Sequence, residues 1–181
     1  NRRIPVPRGR LLGGSSSING LVFVRGQPLD YDTWGQLGNR GWSFDDVLPF
    51  FQKMEHYEHG EDDLRSQGGP LRLSKATDEG PLYDAITAAS KELGIPHNPD
   101  YNGKSQEGIV RTQTTISNGV RMSTARCYLN PVKNRPNLRI ETNAHVQKLL
   151  FEGKKCSGVH FRKNGQDRFV HAHKEVIVCT G

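Results

Sequence analysis

Arg8-Gly9-Arg10-Leu11-Leu12-Gly13-Gly14-Ser15-Ser16-Ser17-Ile18-Asn19-Gly20 is the stretch on which the reading of this chain turns. Adjacent glycines remove two Cβ atoms, so the backbone can adopt positive φ or lie close to a ligand. Three serines and Asn19 follow within six residues. A span so rich in hydroxyl, amide and backbone N–H donors suits an anionic or heteroaromatic ligand with many acceptors, such as a pyrophosphate or a flavin ring edge. Arg8 and Arg10 add positive charge beside it. A flexible Gly/Ser loop has the same composition, but the apolar run Leu21-Val22-Phe23-Val24 comes next. That run is expected to be buried and to pin the loop against a core. A GxGxxG following a strand does not occur, so the main phosphate grip on a dinucleotide would lie outside these residues.

Working outward, the 181 residues are 34% hydrophobic and 24% charged, with twenty glycines. The mean hydropathy is −0.68, lean for a self-contained globule. No apolar run approaches the roughly 18 residues that a membrane-spanning helix needs. Asn1-Arg2-Arg3-Ile4-Pro5 has neither an initiator Met nor the apolar core of a signal peptide. Together these features predict a segment from the middle of a longer protein, with apolar surface left for its missing neighbours. The net charge of +6 is concentrated in residues 121–181, which hold 12 basic and 4 acidic side chains. They are spaced singly along apparent strands with few stacking aromatics, so no nucleic-acid partner is expected. The three cysteines, Cys127, Cys156 and Cys179, form neither a disulfide framework nor a zinc motif. They favour a reducing compartment, intracellular or mitochondrial, and Cys179 reads as a small buried hydrophobe.

The pattern of elements is mixed α/β, with helices in the middle and a β-meander near the end. Residues 30–57 read as helix broken at Gly38–Gly41, with Ser43 and Asp46 starting the second piece and Pro49 kinking it. Residues 58–69 read as an exposed loop and 70–73 as a strand. Residues 81–93 read as the clearest helix, opened by Pro81 and stopped by Gly94. Strands are predicted over 109–116, 138–141, 146–151, 158–162, 168–171 and 176–178, and a short helix over 122–130. Asn118-Gly119, Glu152-Gly153 and Asn164-Gly165 are the turn signals. His56/His59 and His171/His173 have no carboxylate-plus-His framework around them, so no metal site is expected. Glu107 and Arg111 could face a substrate cavity or simply be solvated.

Gly9-Arg10-Leu11-Leu12-Gly13-Gly14-Ser15-Ser16-Ser17-Ile18-Asn19, followed by Val24-Arg25-Gly26, Asp30-Tyr31 and Trp34, resembles the first signature of the glucose–methanol–choline (GMC) oxidoreductases. The resemblance continues through Gly41–Phe51, Arg121–Leu129, Arg135-Pro136-Asn137-Leu138 and Lys174–Gly181. It is greatest to the choline-dehydrogenase-like branch. It implies part of an FAD/NAD(P)-binding Rossmann-like domain with a β-meander, plus part of a substrate-binding domain. Residues 1–68 would be the flavin-covering loop and helices, 69–120 a partial substrate-binding domain, and 121–181 the return to the FAD-binding domain.

The family likeness further implies that Leu12, Gly14, Ser15, Asn19, Gly20, Leu21 and Val22 line FAD, largely through backbone atoms. Val146 would hold the adenine end, and Thr180 and Gly181 would pass close to the cofactor. Ile18 stands where some relatives attach FAD covalently through histidine, so non-covalent FAD is expected. The implied reaction is oxidation of a small primary alcohol, choline-like, to the aldehyde by hydride transfer to flavin N5. The electron acceptor stays open, with an O₂-using oxidase or a non-catalytic flavin-binding scaffold as alternatives. The family's histidine base has no counterpart here, so no catalytic residue is assigned. Alone, the segment is expected to be inactive and to need the remaining segments of its parent protein.

Overall fold

Ser43 starts the best-formed helix. Its hydroxyl accepts from the Asp46 amide while the Asp46 carboxylate accepts from the Ser43 amide, so two otherwise orphaned donors are satisfied reciprocally. The computed structural model describes residues 2–77 and 80–180, and in it this helix, α2, runs Phe44–Met54. Helix α1, Pro28–Gln36, precedes it, with Pro28 in its first turn. The break between them falls where the glycines predicted it. Pro49 lies inside α2, which nonetheless continues to Met54. Glu55-His56-Tyr57, expected as the helix end, is instead strand β1. It pairs in parallel with β2 (Leu71–Lys75), and β2 pairs antiparallel with β3 (Gln113–Thr114). Helix α3, Pro81–Glu92, has the predicted bounds to within a residue.

The expected strand over 109–116 is mostly irregular. Beyond β3 it contributes only a bridge from Ile109 to His97 and the short hairpin β4 (Ile116–Ser117) with β5 (Val120–Arg121). Asn118 and Gly119 turn that hairpin at φ of 51° and 71°, the pair of left-handed conformations a two-residue turn requires. The short helix after it is a wide helical turn over Ala125–Leu129. A small apolar core gathers Tyr57, Leu71, Leu73 and Cys127, with Phe23, Met54 and Met122 packed on it.

Two compact units emerge, Asn1–Pro131 and Val132–Gly181. The expected division at residues 68 and 120 is a different partition, into the domains that the family resemblance implies. The second unit is an antiparallel meander of β6 (His145–Glu152), β7 (Lys155–Lys163) and β8 (Gln166–His171). Asn164-Gly165 turns β7 into β8 as read from the sequence. The β6–β7 turn is Gly153-Lys154, one residue later than expected, because Glu152 still pairs with Lys155. Residues 138–141 and 176–178 are not strands. A strand exists by its ladder, and among the described residues neither segment has a partner strand. Cys179, expected buried on that last strand, is accordingly exposed.

Candidate cofactor site

The Gly/Ser loop is built from its own side chains. Ser16 Oγ donates to the Gly13 carbonyl, and Ser17 Oγ donates to the Leu12 carbonyl at 3.0 Å. Ser15 Oγ accepts from the Gly9 amide at 3.2 Å. The serine hydroxyls expected to face a ligand therefore brace the loop, which folds into a tight helical turn over Gly14–Ser17. A Cβ on Gly9 would overlap the Gly14 carbonyl, so that crossing requires glycine. Around Gly14 and Gly20 the opposite holds: a Cβ there would meet nothing within 4 Å. The loop thus turns its hydroxyls inward and leaves bare backbone facing open space. Leu11, Leu12, Ile18 and Val22 stand about half exposed beside it.

A second motif, a hundred residues away, holds this loop. Arg121 Nη1 donates to the Asn19 carbonyl at 2.8 Å, to Asn19 Oδ1 at 2.7 Å and to the Ser16 carbonyl at 3.2 Å. Thr124 donates from its amide to Ser16 Oγ at 2.9 Å and from Oγ1 to the Gly13 carbonyl at 3.1 Å. Sequence reasoning placed Arg121 and Thr124 in a motif but gave them no role. Their distance along the chain hides the contact.

The strap that continues from the loop departs from expectation. Val22 and Val24 are 57% and 61% exposed, and only Phe23 of the run packs on the core. Leu21 adopts a φ of 68°, strained for a side chain with a Cβ. Polar contacts from residues 101–115 fix it instead. The Leu21 carbonyl accepts from the Thr115 amide at 2.9 Å, and the Phe23 amide donates to the Gln113 carbonyl at 2.9 Å. The Phe23 carbonyl accepts from Tyr101 Oη at 2.8 Å.

Beneath the strap lies a buried ionic cluster that composition gave no hint of. Glu55, fully buried, pairs with Arg25 Nη2 at 2.8 Å and with both Nε and Nη2 of Arg65 at 3.0 and 3.1 Å. Arg65 Nη1 also reaches both Asp100 oxygens, at 2.8 and 2.7 Å, and Gln113 Oε1 at 3.0 Å. Its guanidinium lies 3.8 Å from the Tyr57 ring centroid. Burial pulls the Arg25 pKa down, with Glu55 opposing. Burial also works against charge on Arg65, but the hydrogen bonds and charges of Glu55 and Asp100 outweigh it and the net shift is upward. The loop 58–69, read as exposed, thus sends Arg65 into the interior.

Leu12, Gly14, Ser15, Asn19, Gly20, Leu21 and Val22 all lie in the first unit, on the loop and the strap that follows it. Val146 is half exposed on β6 of the second unit, paired with Phe161. Thr180 is exposed in the same unit, and Gly181 lies outside the described residues. Glu107 borders an open cleft of about 520 Å³ with Lys104, Gln27 and Tyr101, and the Arg111 guanidinium lies 4.4 Å from the Tyr83 ring centroid. Among the described residues no three metal-ligating side chains gather, and no helix is long and apolar enough to cross a membrane.

Set beside known proteins, residues 1–181 match the family model described as GMC oxidoreductase. The chain is 43% identical over 180 residues to an oxygen-dependent choline dehydrogenase of Sinorhizobium fredii, covering 99% of this chain and 33% of that one. It superposes on an FAD-dependent oxidoreductase from Chaetomium thermophilum with a TM-score of 0.87 at 31% identity, over 97% of this chain and 33% of the other. With pyridoxine 4-oxidase from Mesorbium loti the TM-score is 0.84 at 33% identity, over 91% and 33%. The chain spans about a third of the length of these relatives. The mixed α/β fold is that of part of their FAD-binding domain, and the chain belongs to the GMC oxidoreductase family.

Proposed function

We propose that this chain supplies one wall of the FAD site, and part of the substrate domain, of an enzyme that oxidises a small primary alcohol of the choline class. The observation that carries the reading is the loop at Gly13–Asn19: its serine side chains are consumed internally, and its bare backbone at Gly14 and Gly20 faces open space. That arrangement fits a large flat heteroaromatic group. Such a group can lie against backbone where no Cβ intrudes, and the exposed Leu12, Ile18 and Val22 offer it apolar contact. Similarity to an oxygen-dependent choline dehydrogenase supports the alcohol and its class.

FAD held there would supply the hydride acceptor for the alcohol carbon. The chain's own residues bind and orient. Leu12, Gly14, Ser15, Asn19, Gly20, Leu21 and Val22 form the wall. Arg121 holds the Asn19 carbonyl and side chain, so that this turn keeps its shape. Val146, Thr180 and Gly181 are proposed for the same cofactor, Val146 at its adenine end. Ile18 offers no nucleophile, which supports non-covalent attachment. No side chain here is assigned as the base that takes the hydroxyl proton. Residues 69–120 would belong to the substrate domain, and a reducing compartment, intracellular or mitochondrial, is part of the proposal. Use of O₂ as electron acceptor is the second reading, supported by similarity to the oxygen-dependent choline dehydrogenase of Sinorhizobium fredii.

Steady-state oxidation of choline, compared with other small primary alcohols, by the full-length protein is the test. The expected result is FAD-dependent aldehyde formation with choline among the better substrates, oxygen consumption separating oxidase from dehydrogenase. Absence of alcohol oxidation by the FAD-loaded protein contradicts the reading.

A further inference from the structure

Arg25 is the most tightly held residue of the strap. Its amide donates to Asn102 Oδ1 at 2.7 Å, its carbonyl accepts from Gln106 Nε2 at 2.9 Å, and its Nη1 donates to the Leu64 carbonyl at 2.6 Å. Its Nη2 pairs with Glu55. These contacts close a ring. The strap passes through Arg25 to Glu55, from Glu55 to Arg65, from Arg65 to the Gln113 side chain, and from the Gln113 carbonyl back to the Phe23 amide. Asn102 Nδ2 ties the Gln113 side chain at 2.8 Å to the residue that holds the Arg25 amide. Three charged side chains, Arg25, Glu55 and Arg65, are buried in this ring, and neither Nε nor Nη2 of Arg25 has a hydrogen-bond partner among the described residues, Nη2 meeting Glu55 as an ion pair alone.

Stability alone is a poor account of such a cluster. Well-packed apolar residues in place of a buried ion pair are often neutral or stabilising, because the desolvation penalty can exceed the Coulombic gain. What an ionic ring offers that apolar packing does not is a fixed register: the bidentate Arg65–Glu55 pair tolerates little displacement, and it holds in place the carboxylate that Arg25 Nη2 meets. The segment held in register is the one that carries Leu21 in a strained conformation and leaves Val22 and Val24 uncovered.

We propose that Arg25, through its ion pair with Glu55, is a positioning residue for the cofactor: it sets the strap Asn19–Arg25 against residues 98–115 so that the wall is already shaped when FAD binds. The inference rests on the reading of that wall as an FAD site. Neither Arg25 nor Glu55 touches the cofactor in this account, and both act through the strap's backbone.

The test uses the full-length protein and the double variant Arg25→Met/Glu55→Gln, which removes one charge of each sign and leaves Arg65 paired with Asp100. Three quantities are read: the thermal unfolding midpoint without FAD, the FAD dissociation constant by fluorescence quenching, and the visible absorbance and circular dichroism of the bound flavin. The expected result is an unfolding midpoint within a few degrees of the unaltered protein, FAD held about tenfold more weakly, and a shifted flavin dichroism band. Arg25→Lys, which keeps the charge but loses the planar fork, is expected to fall between the two. If the double variant does not fold, Arg25→Lys decides on the same readouts. A lowered midpoint with unchanged FAD affinity and an unmoved flavin spectrum assigns a merely structural role and overturns the inference while leaving the FAD reading intact. An unaltered protein that binds no FAD overturns both.

Discussion

Gly9 and Gly14 lie five residues apart and meet opposite surroundings. A Cβ at Gly9 would strike the Gly14 carbonyl and the Ser15 amide. Gly9→Ala is therefore expected to lower stability by about 1–3 kcal/mol, the usual cost of overpacking, measured as a lower urea midpoint. Tyr57 gives a prediction in pH. Burial, with the nearby Asp100 carboxylate adding, pushes its phenol from 10.0 up to about 12. The folded state then favours the neutral phenol, while the unfolded chain ionises near its ordinary value. The stability Tyr57 contributes is full below pH 10 and is lost as pH rises toward about 12. Tyr57→Phe should flatten the fall in unfolding free energy over that window. An unchanged slope would show that other groups, such as Tyr101 and Tyr128, whose phenols are also raised by burial, dominate it.

Elements with local signals formed where the sequence placed them. Ser43 with Asp46 starts α2, Pro81 and Gly94 bracket α3, and Asn164-Gly165 turns the meander. Ser43→Ala should cost about 1 kcal/mol, the typical value of an N-cap, read from chemical denaturation. Elements that depend on a distant partner were not legible. The apolar run 176–178 looks like a strand, but pairing is a property of two segments. Its lack of a partner among the described residues leaves Cys179 exposed while Cys127 sits in the core. In the 181-residue chain a maleimide should label Cys179 well before Cys127. The reverse order, read by mass spectrometry of peptides, would contradict this packing.

On the scale of the molecule, the candidate cofactor loop was visible from its glycines and serines, but its support was not. Arg121 and Thr124 reach it across a hundred residues. Arg25, read only as part of a family motif, converges in the interior of the first unit with Glu55 from the expected helix end, Arg65 from the expected exposed loop, and Asp100. Charge composition cannot reveal such a cluster because the four charges cancel. The surplus that composition does show resides elsewhere. The second unit, residues 132–181, holds ten basic and four acidic side chains, a surplus of six that equals the net charge of the whole chain. The apolar run 21–24 misled for a related reason: its contacts to the protein are mainly through its backbone, and Val22 and Val24 stay uncovered.

The account stands on the open backbone at Gly14 as the surface against which FAD lies. Gly14→Val would place a branched side chain in that space, where it meets no protein atom within 4 Å of its Cβ. Titration of the full-length protein with FAD, followed by flavin fluorescence and visible absorbance, measures the consequence directly. The expected result for the unaltered protein is one FAD per chain, released by denaturant as the proposed non-covalent attachment requires. It predicts that Gly14→Val loses most of this binding while losing only about 1–2 kcal/mol of stability to its left-handed backbone. FAD binding by Gly14→Val equal to that of the unaltered protein would contradict it.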